Sequence, residues 1–316
     1  MSARETTDGV HISTEQLVAL QAYARDLRFV QKDRSHQQLA GRMNSAMRGR
    51  GLTFEELRSY LPGDDIRSID WRVTARTTRP VVRVYSEEKE RPALIVVDQR
   101  INMLFGSRRF MKSVTAAETA MLCAWRILGS GDRVGGFVFG DEGFSEVKPN
   151  RSRNAVIALA ERISERNGVL AASFAGAPSR KALDDALRRV AAIAHHDHLV
   201  IVVSDFDGHG PETKDLLLRL SSRNDVICLL VYDPFLLDLP TSGDLVISGG
   251  GLQAEISFRQ SGVRSSIDAF ARNRGRELRA WQRELGLPML PISAAEETAP
   301  QLRRLLDQSA WRQRRR

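Results

Sequence analysis

The spacing of apolar positions changes along the chain. From Ser13 to Val30, Leu17, Leu20, Tyr23, Ala24 and Leu27 recur three and four residues apart behind a capping Ser13 or Thr14, which predicts one amphipathic helix. Residues 41–51 (GRMNSAMRGRG) are rich in glycine and arginine and read as a loop. The stretch 53–91 holds a short helix, a turn at Pro62-Gly63-Asp64-Asp65 and a strand at 80–85. The pattern then becomes regular. Apolar runs at 93–97, 134–139, 199–203, 226–232 and 287–292 are rich in Val and Ile and do not alternate, as befits strands covered on both faces. Helical spacing fills 110–129, 150–166, 180–194, 212–222 and 263–286, and a last helix is expected at 298–312. This alternation predicts an α/β fold with a doubly wound, mainly parallel sheet. Residues 234–258, with Gly249-Gly250-Gly251, break the pattern and predict an inserted hairpin. The expected organisation is an N-terminal extension over 1–91 and an α/β domain over 92–316.

Composition adds a partner question. Of 316 residues 42% are hydrophobic, enough for a sizeable core, and the net charge is +8. Residues 25–50 hold seven basic and two acidic side chains, and the last fourteen residues hold six Arg and one Asp. Such clusters are solvated faces or meet an anionic partner. Cys123 and Cys228 each lie in an apolar stretch and read as reduced core residues. With no apolar h-region at the start and no apolar run of 18 residues, neither a signal peptide nor a membrane span is expected, and the expected location is cytoplasmic.

Candidate chemistry lies where the strands end. The runs RPALIVVD and HLVIVVSD finish at Asp98 and Asp205. In open α/β sheets functional groups gather at the carboxyl edge, and two carboxylates there could hold a divalent cation or simply cap the following turns.

Residues 51–140 resemble the MoxR-associated family known as domain of unknown function fifty-eight. The stretches FEELRSYLPGDDIRSIDWRVTART, RVYSEEKERPALIVVD and KSVTAAETAMLCAWRILGSGDRVGGFVFGD carry the resemblance, most specifically through Pro62, Gly63, Asp64, Asp65, Arg67, Asp70, Trp71 and Arg76; it continues more loosely to about residue 260. The family is similar to von Willebrand factor A domains, which implies the doubly wound fold. The resemblance also implies a MoxR-type AAA+ ATPase as partner in assembling or maturing other proteins, with other von Willebrand factor A-like proteins as further partners. In von Willebrand factor A domains the first strand end carries Asp-x-Ser-x-Ser, which binds a metal with a distant Thr and a distant Asp. Here Asp98 and Asp205 fit, but Arg100 and Asn102 replace the two serines, and near Gly176-Ala177-Pro178-Ser179 only Ser179 offers a hydroxyl. A guanidinium cannot ligate a cation. The expected site is therefore degenerate (Asp98, Asn102, Asp205), with no cofactor and at most weak Mg binding. If Arg100 points inward, it pairs with Asp98 or Asp205.

Other groupings carry less. Asp205-Phe206-Asp207-Gly208 resembles the opening motif of haloacid dehalogenase-like phosphohydrolases, but it falls on the fourth strand, and Asp233, Asp238 and Asp244 do not supply the later acidic pair. His195-His196-Asp197-His198 sits at a helix end, where histidine suits the dipole. A triad using Ser204 and Asp205 is opposed by geometry, because adjacent strand residues point to opposite faces. The mixture of Asp64, Asp65 and Asp70 with Arg67, Arg72, Arg76 and Trp71 is either a salt-bridge network or a docking surface; Arg67, Asp70, Trp71, Arg72 and Arg76 are the candidate partner-binding residues. The expected function is a non-enzymatic adaptor or scaffold. The alternatives are a divalent-metal phosphohydrolase and a basic nucleic-acid-binding protein, the latter opposed by arginine-rich segments with few interleaved aromatics.

Overall fold

A computed structural model describes residues 9–27, 52–77, 79–87, 91–171, 178–236, 244–249, 252–257 and 280–313, with 269, 276 and 277. The chain divides into two compact units, Met1–Phe29 with Arg91–Arg316, and Val30–Glu90. The first 29 residues therefore group with the larger unit, in place of a single break after residue 91.

The described chain opens with α1 (Thr14–Ala19) and α2 (Gln21–Ala24). Ser13 caps α1 by accepting from the Gln16 N–H, and the Gln16 side chain accepts from the Ser13 N–H in return. The single helix expected here is interrupted at Leu20. Tertiary contacts hold the segment: Trp125 Nε1 donates to the Leu17 carbonyl at 3.3 Å, Arg126 donates to that of Leu27, and Leu17, Ala24 and Leu27 are buried. The basic stretch beyond Leu27, the loop at 41–51 included, lies outside the described residues.

The smaller unit is an antiparallel pair, β1 (Leu52–Ser59) and β2 (Val81–Glu87), running from Leu52↔Glu87 to Ser59↔Val81 with a bulge between Phe54 and Glu56. Cross-strand pairing overrides the weak helix preference of Glu-Glu-Leu in β1. The short helix, α3 (Trp71–Thr74), instead follows the turn. Gly63 sits at φ 108°, which that turn requires of glycine. Asp64 takes both Arg58 guanidinium nitrogens at 2.9 Å and the Leu61 N–H at 2.9 Å. Asp65 accepts from the Arg67 N–H at the head of the 3-10 turn Ile66–Ser68. Asp70 caps α3 through the N–H groups of Arg72 (3.0 Å) and Val73 (3.1 Å), while its other oxygen meets Arg83 Nε at 2.9 Å.

Two of these carboxyls sit below the usual aspartate range, Asp64 through Arg58 and the Leu61 N–H, Asp70 through Arg83 and the Val73 N–H. Burial of Asp70 opposes its charge, but the bonds from Arg83 and the Val73 N–H outweigh it. A lowered folded pKa contributes stability that is fully present above the unfolded value of about 3.9 and is lost as pH falls through the folded value. Amide-exchange protection in 52–87 should therefore weaken as pH falls below about 4. Asp70→Asn should flatten that acid transition; an unchanged transition in the variant would refute the assignment.

The larger unit is built on β3 (Ala93–Asp98), β4 (Val134–Gly140), β5 (Gly143–Asn150), β6 (Leu199–Ser204), β7 (Asp225–Tyr232) and β10 (Met289–Ser293), in the order β10-β7-β6-β3-β4-β5. All neighbours run parallel except β5, an edge strand that pairs antiparallel with β4. β5 carries Pro149, tolerable at an edge; its sequence GFSEVKPN has too little apolar alternation to announce a strand. The expected hairpin is present as β8 (Asp244–Gly249) and β9 (Leu252–Ser257), an antiparallel pair of their own.

Helices cover both faces of the sheet. Ile95, Val97, Val138, Ile201 and Val203 pack beneath α4 (Lys112–Gly129), α5 (Arg153–Gly168) and the C-terminal α8 (Thr298–Gln313), with α1 against α4 and α5. Leu94, Val96, Phe137, Val200 and Val202 face α6 (Ala182–Ile193), α7 (Pro211–Arg223) and Trp281. Successive residues thus enter different cores, each burial stabilising by about 1.5–3 kcal/mol, which is why these runs are apolar without alternation. At Gly136 a Cβ would approach the Ile95 carbonyl oxygen of β3 to 2.5 Å and Leu159 of α5 to 3.1 Å, so the β3 backbone needs glycine there. Cys123 and Cys228 are free and buried, and burial pushes both thiols up to about 12. Of the helix expected at 263–286, the residues described are helical at 269, 276–277 and 280–285. No helix among the described residues is long and apolar enough to cross a membrane.

The parallel strands, taken in chain order, lie 2-1-3-4-5 across the sheet. The winding direction reverses between β3 and β6, and a crevice at the carboxyl edge opens at such a reversal.

Candidate functional site

At that reversal β3 ends in Asp98 and β6 ends in Ser204, followed by Asp205. The strands are parallel neighbours in the register Val97↔Val203, so both aspartates reach the same edge. Between them lies Arg100, 1% exposed and the largest wholly buried side chain among the described residues. Its Nε donates to Asp98 Oδ1 at 3.0 Å and one terminal nitrogen to Asp98 Oδ2 at 2.7 Å, a two-pronged pairing. The same terminal nitrogen stands 3.7 Å from Asp205 Oδ1. The other donates to the backbone carbonyls of Asp207 (3.1 Å) and Ser179 (3.3 Å). The Phe139 ring closes the last side, its centroid 5.5 Å from the guanidinium carbon. Burial by itself disfavours the charge, but Asp98 above all, then Asp205 and Asp207, outweigh it and raise the pKa above that of an ordinary guanidinium.

The remaining acceptors are also engaged. Ser204 Oγ donates to Asp98 Oδ2 at 2.6 Å and accepts from the Phe206 N–H at 2.8 Å. Phe206 adopts φ 55°, unusual for a bulky residue, with its side chain fully buried. Asp205 accepts from Lys112 Nζ, from the Asp207 N–H at 2.8 Å, and from Asn102 Nδ2, which is 3.0 Å from both oxygens. Asn102 thus meets Asp205 as a donor, and its buried Oδ1 has no hydrogen-bond partner among the described residues. Its Nδ2 faces the Asp205 carboxylate. Ser179 contributes its backbone carbonyl to Arg100 and its N–H to Asp141.

The edge is tied in the same manner at β4 and β7. Asp141, just past β4, accepts from the N–H groups of Ile101 and Ser179, each at 2.7 Å. Asp233, just past β7, accepts from Ser107 Oγ (2.5 Å), the Ser107 N–H (2.8 Å) and the Phe235 N–H (2.8 Å). Asp141 and Lys112 had not stood out in the sequence. Asp141 carries the same signal as Asp98, an aspartate closing an apolar strand; Lys112 carries none. A buried amide chain lies behind the edge: Asn167 Nδ2 donates to Gln99 Oε1 at 3.0 Å, and Asn167 Oδ1 accepts from the Ile12 N–H at 2.9 Å.

The other sequence candidates do not join this cluster. His195, His196 and His198 lie in the turn before β6, at the opposite edge of the sheet, with Asp197 at φ 58°. His198 Nδ1 pairs with the His196 carbonyl at 2.7 Å. No group of three or more His, Cys, Asp or Glu among the described residues could hold a metal ion. In the smaller unit, Asp70 serves α3 and Arg83, whereas Arg67, Trp71, Arg72 and Arg76 are exposed. Asp238 lies outside the described residues.

The chain matches the model of a protein family described as "Protein of unknown function DUF58" over residues 56–277. The chain belongs to this family. Its relatives include uncharacterized proteins of Mycobacterium bovis and Mycobacterium tuberculosis, each 30% identical over 230 residues, covering 72% of this chain and 70% of theirs. Among solved structures it is similar to the conserved hypothetical protein BatB of Bacteroides thetaiotaomicron, at 12% identity and TM-score 0.40, covering 71% of this chain and 98% of that one. It also overlaps the pilus adhesin SpaC of Lactobacillus rhamnosus GG, at 12% identity and TM-score 0.35, over 72% of this chain and 31% of that one.

Proposed function

We propose that this member of the DUF58 family is a non-enzymatic adaptor or scaffold, a von Willebrand factor A-like protein that works with a MoxR-type AAA+ ATPase in assembling or maturing other proteins. The observation that carries the reading is Arg100. The crevice where an open α/β sheet places its reactive or metal-bound group is filled by the protein's own cation, with its donors spent on Asp98, Ser179 and Asp207. Magnesium chemistry needs carboxylate oxygens open to the ion, and a nucleophilic aspartate needs an oxygen free to attack. Asp205 meets neither need, since Lys112, Asn102 and the Asp207 N–H hold it. This speaks against the phosphohydrolase alternative. The sequence has no G-x-x-x-x-G-K-[ST] loop, so ATP hydrolysis would belong to the partner.

The test is biosensor binding of the full chain to the MoxR-type ATPase of the same organism, with and without ATP. Saturable binding at or below tens of micromolar is expected. Two folded proteins that show none with nucleotide present would remove the adaptor reading.

A further inference from the structure

Among the described residues, the ion pairs of the connection between β1 and β2 are lopsided. Asp64 is taken by Arg58, and Asp70 by Arg83 and the head of α3. Arg67, Arg72, Arg76 and Arg79 are exposed and form no ion pair among the described residues. Among the described residues Asp65 has no cationic partner, and its oxygen caps the turn at Arg67. The same connection exposes large apolar side chains: Leu61 at 58%, Ile66 at 63% and Trp71 at 63%. Singly such residues are ordinary, but three on one connection, interspersed with four unneutralised guanidiniums, have the composition of an interface centre, where Trp and Arg are enriched. The aspartates hold the backbone that displays them.

We infer that this connection docks an acidic amphipathic segment of a partner protein, whose carboxylates meet Arg67, Arg72, Arg76 and Arg79 while its apolar side chains cover Leu61, Ile66 and Trp71. The inference rests on the interaction-protein reading and specifies its chemistry. Asp70, a candidate contact by sequence, becomes a positioning residue.

The probe is a labelled twenty-residue amphipathic peptide with Leu and Phe on one face and Glu on the other, titrated into the full chain by anisotropy. A peptide with Lys for every Glu is the control. The Glu peptide should bind, weaken as salt rises from about 50 to 500 mM, and outcompete the Lys peptide. Trp71→Ala should weaken it roughly 30-fold and the triple charge reversal Arg67→Glu/Arg72→Glu/Arg76→Glu at least about tenfold, with Trp71→Phe partly restoring affinity. All four positions are exposed, so thermal melts should match wild type. Equal binding of both peptides, or variants that bind as wild type, would overturn the inference. Repeating the variants against the ATPase separates the two ideas. An ATPase that binds wild type and variants alike removes this surface and leaves the adaptor. Glu-peptide binding without ATPase binding keeps the surface and removes the named partner.

Discussion

Arg100→Ala should destabilise the larger unit by about 3–5 kcal/mol, the usual cost of stripping one partner from a buried ion pair. For a unit of this size that lowers Tm by roughly 6–20 °C. Asp98 is wholly buried and would lose both prongs of its counter-ion, keeping only the Ser204 hydroxyl and the Arg100 backbone N–H. The carbonyls of Asp207 and Ser179 would lose their donor as well. Arg100→Lys keeps a charge but not the fork, and should fall between wild type and Ala. The decisive comparison is Asp98→Asn/Arg100→Met. Removing both charges leaves no uncompensated ion, so the double variant should melt above Arg100→Ala. Because the guanidinium pKa is raised, its contribution persists at every pH below the ordinary arginine value and fades only above it. The Arg100→Ala deficit should therefore be the same at pH 6 and pH 8. A variant melting within about 1 °C of wild type would mean that Arg100 is not the internal cation described here.

The second large effect concerns metal. Wild-type protein should show no magnesium or manganese binding in the micromolar range by calorimetry, and its Tm should not respond to either ion. The residues present do not suit an ion while Arg100 lies among Asp98, Asp205 and the Ser179 and Asp207 carbonyls. Those oxygens are nevertheless the kind that hard divalent cations select. Arg100→Ser/Asn102→Ser should open the position, and Lys112→Gln should free the Asp205 oxygen that lysine now holds. The triple variant, unstable alone, should then gain stability with added magnesium or manganese, by about 2.7 kcal/mol when the ion reaches one hundred times its Kd. Metal that stabilises wild type as strongly would contradict the assignment, and so would a folded triple variant indifferent to metal.

Much of this was legible before any coordinates. Non-alternating Val/Ile runs separated by helical spacing already required strands buried on two faces, and five of the six strands of the main sheet fall where those runs lie. An aspartate closing an apolar strand already placed Asp98 and Asp205 at the carboxyl edge. Arg100, where a metal site would need oxygen, already raised the prospect of an internal pair. These are local features: strand burial is written in consecutive side chains, and the residues after a strand sit at its end whatever the fold does elsewhere.

What needed the tertiary structure was the choice of partners across the chain. Nothing near Asp70 announces Arg83, thirteen positions later across β2, and nothing near Lys112 announces Asp205. Asn102 could have offered oxygen or nitrogen; only the position of the Asp205 carboxylate turns its Nδ2 inward. β1 and β5 form because a neighbouring strand supplies hydrogen bonds to sequences with weak strand preference of their own. The N-terminal helix is interrupted at Leu20, and Trp125, a hundred residues on, takes the Leu17 carbonyl of its first segment. Periodicity and strand-end chemistry depend on neighbours in sequence and can be read from it; pairing depends on which groups the fold brings within about 3 Å, and only the fold decides that.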